Sequence, residues 1–179
     1  MKQNKVTIVN IHILVLFSIL ALFLAGCGTD TDQPEESAAN YYKTAMQMLD
    51  SNRVLEAVQS LEKIIEKYPT DSLYPTVLYT VAGMYQSQAV PVQNRDTAVN
   101  RALRYYTIYY TTFKDSARAE YALFALGYLH ANETKKYDEG KKYYEEYLRL
   151  YPNGQMAEAT RQELLIIGKS PDEVLKGAK

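Results

Sequence analysis

One pattern recurs along this chain and dictates its architecture. From residue 39 onward apolar residues fall three and four apart, as in Leu61, Ile64, Ile65 and Tyr68 and again in Tyr144, Tyr147, Leu148 and Tyr151. That spacing puts them on one face of a helix. Three such segments end alike, in an aromatic residue and a polar turn: Glu66-Lys67-Tyr68-Pro69, Thr111-Thr112-Phe113-Lys114 and Arg149-Leu150-Tyr151-Pro152. A fresh helical pattern follows each, from Asp71, Asp115 and Asn153. The aromatic residues step by 45 and 38 (68 to 113, 113 to 151). Self-similarity of this kind marks a stacked array, in which each unit buries its apolar face only against its neighbours.

The remaining breaks are consistent with helices throughout. Asp50-Ser51-Asn52 is a short turn, and the longer Ala89–Asn94 stretch carries Pro91 and an Asn94 placed to cap the next helix. Ser170-Pro171-Asp172-Glu173 supplies an N-cap Ser, an N1 Pro and an N3 Glu for a last short helix. No segment sustains period-two alternation. Only 8 Gly and 6 Pro occur among 179 residues, which disfavours turn-rich β architectures. The expected fold is all-α: about three antiparallel helix hairpins and a C-terminal helix, over residues 39–179.

Within each unit a small residue on the first helix is matched by one on the second: Ala45 with Ala57, Gly83 with Ala98, and Gly127 with Gly140. Helices approach closely only where both lack bulk at the crossing. A mid-helix glycine costs about 1 kcal/mol relative to alanine, so Gly83 and Gly127 call for a packing reason. These positions resemble the tetratricopeptide repeat family. Its Trp-x-x-Leu-Gly-x-x-Tyr pattern is matched degenerately by Leu123-x-x-Leu126-Gly127-x-x-His130, by Tyr79-x-x-Ala82-Gly83-x-x-Gln86 and by Tyr41-x-x-Thr44-Ala45-x-x-Met48. Later family positions are filled by Ala57, Leu61 and Pro69 and by Gly140, Tyr144 and Pro152. The resemblance implies a right-handed superhelical solenoid whose first helices line a concave partner groove. Carried onto this chain, that groove takes Tyr42 and Met46, Thr80 and Met84, and Phe124 and Tyr128.

The first 26 residues read as an address. Lys2 and Lys5 precede an apolar run from Ile13 to Ala25, interrupted only by Ser18, which ends in Leu24-Ala25-Gly26-Cys27. A basic start, an apolar centre and small residues at the end describe a secretory signal. The run is shorter than the roughly 20 residues a membrane-spanning helix needs. Its last four residues resemble the lipobox of bacterial lipoproteins. That resemblance implies cleavage before Cys27 and acylation of its thiol, with the outer membrane facing the periplasm as the destination. Residues 27–38 are polar, acidic and aperiodic, and read as a flexible tether.

Most catalytic chemistry is excluded by composition. The chain has one Cys and two His, and beyond the leader only His130 remains, so no His-based relay or zinc set can be assembled. No phosphate- or dinucleotide-binding glycine motif occurs. A net charge of −1 gives no reason to expect nucleic acid, and neither a metal nor a cofactor is expected. His130 sits where the repeat pattern has Tyr and reads as a packed, hydrogen-bonded residue. Tyrosine is in excess, with 17 Tyr against 4 Phe and no Trp. Tyr105, Tyr106, Tyr109 and Tyr110 form two doublets; helical geometry argues that both faces of a doublet are not core, which would suit an interface, whereas the favoured reading of each residue is a ring that fills contacts between successive repeats.

Two functions fit. One is a non-catalytic, lipid-anchored scaffold with an envelope protein partner, similar to the tetratricopeptide lipoproteins of the Gram-negative envelope such as the BamD type. The other is a lipoprotein enzyme or small-ligand receptor with a pocket between helices.

Overall fold

The computed structural model describes residues 36–177. The leader 1–26 and Cys27 lie outside them, as does the tether up to Glu35. Helix α1 (Ala38–Asp50) starts within the last residue assigned to the tether, because Ser37 caps it: its side chain accepts a hydrogen bond from the Asn40 amide. There follow α2 (Val54–Lys67), α3 (Tyr74–Gln86), α4 (Arg95–Thr112), α5 (Ala119–Tyr128), α6 (Tyr137–Leu150), α7 (Ala157–Ile166) and the short α8 (Pro171–Gly177). A single π-helical turn, Leu129–Glu133, prolongs α5. No strand occurs among the described residues. Both caps read from sequence are present. Asn94 Oδ1 accepts from the Thr97 amide at 2.8 Å, and Ser170 and Glu173 exchange side-chain bonds to each other's amides.

The helices pair as α1/α2, α3/α4 and α5/α6, and α2 packs on α3, α4 on α5 and α6 on α7. Each unit thus leans on its sequence neighbours, as a solenoid does. The joints between units are built identically. The amide of Asp71 bonds the Tyr68 carbonyl and the amide of Tyr74 bonds that of Asp71; Ser116–Phe113 with Ala119–Ser116, and Gly154–Tyr151 with Ala157–Gly154, repeat this at 2.9–3.1 Å. Tyr68, Phe113 and Tyr151 share one backbone conformation, φ −129°, −122° and −127°.

These joints fix a frame, and the frame corrects the middle unit. Counting forward from Tyr68 and Phe113 makes Ala82, not Gly83, the equivalent of Gly127. Counting back from Phe113 makes Ala102, not Ala98, the equivalent of Ala57 and Gly140. Ala82 and Ala102 have no exposed surface, like Ala45 and Ala57. A Cβ built on Gly83 would meet only the Tyr106 hydroxyl, at 3.6 Å, an ordinary contact. Gly83 therefore has no close crossing to allow. Gly127 does: a Cβ there would lie 2.5 Å from the Tyr144 ring. Its counterpart is that ring rather than Gly140, which sits against the backbone of Ala131 in the π turn. The π turn also explains why Gly127 and Gly140 are one residue further apart than Ala45 and Ala57.

The rings of the α4 doublets fill contacts between helices, as expected, but both faces of each doublet are covered, against the argument from helical geometry. Tyr105, Tyr106, Tyr109 and Tyr110 are 6%, 4%, 2% and 7% exposed. Helix α4 packs on α3 and on α5, so two of its faces are covered, and each hydroxyl finds a partner: Glu62, Gln86, Ser116 and Glu146. Tyrosine suits such a place, since its ring fills the contact while its hydroxyl is satisfied at the edge.

Candidate functional site

In this frame Tyr42, Tyr79 and Phe124 occupy one equivalent place on α1, α3 and α5. Met46, Gly83 and Tyr128 occupy another, four residues on. Thr80 and Met84, assigned to the groove from sequence, lie one residue past these places: Thr80 is exposed, and Met84 is half-buried against the core. The equivalence is physical. Tyr79 meets the rings of Tyr106 and Tyr109 at 5.7 and 5.3 Å, and Phe124 meets Tyr144 and Tyr147 at 5.7 and 6.2 Å. Phe124 is thus seated on the second helix of its own hairpin and presents only part of its ring. Tyr42, Met46 and Tyr128 are half-buried as well.

Charge separates the first helices from the second. Helix α3 carries no charged residue, α5 only Glu120, and α1 only Lys43 and Asp50, whereas seven of the fourteen residues of α6 are charged. Glu120 is engaged: its carboxylate accepts from the Tyr147 hydroxyl, which in turn accepts from the Met156 amide at 2.9 Å. A cation reaches α3 from the following joint. The Arg118 guanidinium lies over the Tyr79 ring, 5.4 Å from its centroid, with Nη1 3.5 Å from Thr76 Oγ1.

The polar groups that are buried serve the joints. Glu62 on α2 accepts from the hydroxyls of Tyr85 and Tyr105 at 3.0 and 2.7 Å and from Arg101 at 2.7 Å. Burial, reinforced by the adjacent Glu62 carboxylate, pushes the Tyr85 phenol up to about 12. Stacked rings repeat at the same place in two units, Tyr85 on Tyr105 and His130 on Tyr143. His130 is packed as expected, but its Nδ1 is buried with no hydrogen-bond partner among the described residues. Burial, with the nearby Lys136 charge, lowers its pKa from the ordinary histidine value. Among the described residues, no group of three His, Cys, Asp or Glu side chains could hold a metal, and no helix is long and apolar enough to cross a membrane. A concavity of about 450 Å³ lies where the π turn, α6, α7 and α8 meet, lined by Tyr137, Glu163, Ile166, Ile167, Val174 and Leu175 among others.

The tetratricopeptide repeat model matches residues 39–71 and 121–154, the first and third hairpins with their closing turns. The middle hairpin, with its long loop before Asn94 and Lys114 where the other turns have Pro69 and Pro152, falls between the matches. No curated protein matches the chain. Two segments of the chain are thus similar to tetratricopeptide repeats, and identical joints lie on either side of the middle hairpin between them.

Proposed function

We propose that this protein is a non-catalytic scaffold of the bacterial envelope, anchored by lipid on Cys27, which holds a protein partner on the first-helix face of its solenoid. The observation that carries this is the face itself. Half-buried aromatic and methionine side chains recur at equivalent places on α1, α3 and α5, on helices almost without charge. Rings partly covered from below offer rigid apolar contact area, and thioethers adapt to the shape of a partner. The lipobox-like Leu24-Ala25-Gly26-Cys27 supports the anchor, and two or more acyl chains hold a protein on a membrane stably where one does not. The likeness to BamD-type lipoproteins makes the outer-membrane protein assembly machinery the first place to look for the partner. The concavity near α8 favours one competing reading, a small-ligand receptor, which saturable binding by the purified protein would reveal.

Cross-linking in cells followed by affinity capture tests the scaffold. Met46→Ser with Tyr128→Ser should cut partner recovery several-fold while the melting temperature stays close to that of the parent. Unchanged recovery with a large fall in melting temperature would assign these residues to the core. Cys27→Ala should leave a folded protein that is unlipidated, uncleaved or mislocalised, and fully processed, membrane-bound Cys27→Ala protein would end the lipoprotein reading.

A further inference from the structure

Helix α7 opens a fourth unit, and among the described residues no full second helix covers it. The helix that follows, α8, has 7 residues, where α2, α4 and α6 have 14, 18 and 14. The hollow left there is the concavity of about 450 Å³ where the π turn, α6, α7 and α8 meet. Small-molecule sites occupy about 300–1,000 Å³, so it is large enough for a small ligand. Its apolar walls are Tyr137, Ile166, Ile167, Val174 and Leu175. Tyr137, Ile166 and Leu175 stand exposed although they are large and apolar. At its rim two residues with left-handed backbone turn the chain: Lys135 (φ 56°) after the π turn and Gly168 (φ 73°) after α7.

Charges of both signs line the same hollow. Glu163 belongs to α7, and Lys135 and Lys169 to the two turns. Among the described residues neither lysine comes within ion-pair distance of Glu163. Opposite charges thus line one hollow without meeting. Glu163 Oε2 accepts from Asn132 Nδ2 at 3.0 Å, which orients the carboxylate and leaves it further acceptor capacity. Tyr144 is fully buried, and its hydroxyl has no hydrogen-bond partner of standard geometry among the described residues. The carboxylate whose charge acts on that hydroxyl is Glu163.

The lining selects among ligands by charge. A simple carboxylic acid would leave Glu163 facing an apolar body, and an amine without a carboxylate would face two lysines. A molecule that carries an ammonium and a carboxylate beside an apolar side chain answers all three groups at once. We infer that the concavity is a binding site for a free apolar α-amino acid, with its ammonium on Glu163, its carboxylate on Lys135 and Lys169, and its side chain against Ile166, Ile167 and Val174. Mostly apolar walls with a few polar groups that orient the ligand are how small-ligand sites are built. The inference gives the ligand reading of the concavity its chemistry and does not depend on the scaffold reading, because neither Met46 nor Tyr128 lines this hollow.

The test is equilibrium dialysis of the detergent-solubilised full chain against radiolabelled L-leucine and L-phenylalanine. At least one of them should bind saturably. Leucinamide lacks the carboxylate, N-acetyl-leucine lacks the ammonium, and alanine lacks the apolar bulk. Each should compete about tenfold more weakly than leucine, or worse. These companions probe the parent protein, so the result does not hang on any variant folding. Glu163→Gln should weaken leucine binding about tenfold and leave N-acetyl-leucine as it was. Lys135→Gln with Lys169→Gln should weaken leucine and leave leucinamide as it was. Saturable binding of neither amino acid, companions that compete as well as leucine, or variants that bind like the parent would overturn the inference. Hexanoate competing as well as leucine would make a simple carboxylate the occupant, and overturns it too. So does self-association that Ile166→Glu abolishes in a protein that binds no amino acid, which would give this face to a second copy. The two readings fail separately: loss of this site leaves the cellular capture test of the scaffold as it stands, and failure of that capture leaves this site.

Discussion

Adding a single methyl group separates the two mid-helix glycines. At Gly83 a Cβ meets one hydroxyl at 3.6 Å, so Gly83→Ala gains helix propensity at no steric cost. It should stabilise the protein by about 0.5–1 kcal/mol. At Gly127 the same atom falls 2.5 and 2.6 Å from carbons of the Tyr144 ring, which is fully buried and has nowhere to retreat. Gly127→Ala should cost about 1–2 kcal/mol net of the propensity gain. Urea unfolding followed by helical circular dichroism checks both, and a shared sign would mean that the frame set by the joints is wrong. In the sequence the two glycines look alike. Each follows an apolar or small residue on an apolar helix, and placing Gly83 in the small-residue slot was one residue out because Ala82 beside it fills the slot equally well. The distance from each closing aromatic residue carries the missing information: Ala57, Ala102 and Gly140 all stand eleven before theirs. Phe124 shows another limit, since periodicity places a residue on a helix face but does not say how far the next helix covers it.

At the scale of elements, the joint of α2 with α3 and α4 turns on one carboxylate. Glu62 receives Tyr85, Tyr105 and Arg101, and Arg101 also donates to the Tyr85 hydroxyl at 2.9 Å. Hydrogen bonds to a charged acceptor each contribute about 1.5–3 kcal/mol when made, and a buried donor left without one costs a similar amount. Glu62→Leu should therefore destabilise the protein more than Tyr105→Phe does. The double variant should show a coupling of roughly 1 kcal/mol between them, measured as a double-mutant cycle of unfolding free energies. Strict additivity would show that the joint is held by packing alone. The helices and their caps were legible because Asn94, Ser170 and the Tyr-Pro turns act locally. Each α4 tyrosine read as packed between repeats, but the simultaneous covering of both faces of the doublets was not legible. It requires knowing that α4 is covered by α3 on one side and α5 on another, and that acids distant in sequence, Glu62 and Glu146, arrive to receive the hydroxyls.

Over the whole molecule the tyrosines link stability to alkaline pH. Burial raises the phenols of Tyr85, Tyr105, Tyr106, Tyr110, Tyr144 and Tyr147 above their ordinary value, with adjacent carboxylates adding to it at all but Tyr106. In the unfolded chain each ionises near the ordinary phenol value of about 10. A group whose folded pKa is raised contributes stability that is fully present below the unfolded pKa. That contribution is lost as pH climbs toward the folded one, because the unfolded state releases its proton first. For Tyr85 the window runs from about 10 to about 12, and the other five extend it upward. Because these rings sit in all the joints of a stack whose units depend on their neighbours, their ionisation should disrupt the solenoid rather than one helix. Tyrosinate absorbance and helical circular dichroism recorded on the same alkaline titration make the test. The absorbance of the buried set should rise together with the loss of helical signal, and Tyr144→Phe should reduce that coupled amplitude. If full tyrosinate absorbance instead develops while the helical signal stays intact through about pH 12, these phenols reach water in the folded protein and the joints are not the closed contacts described above.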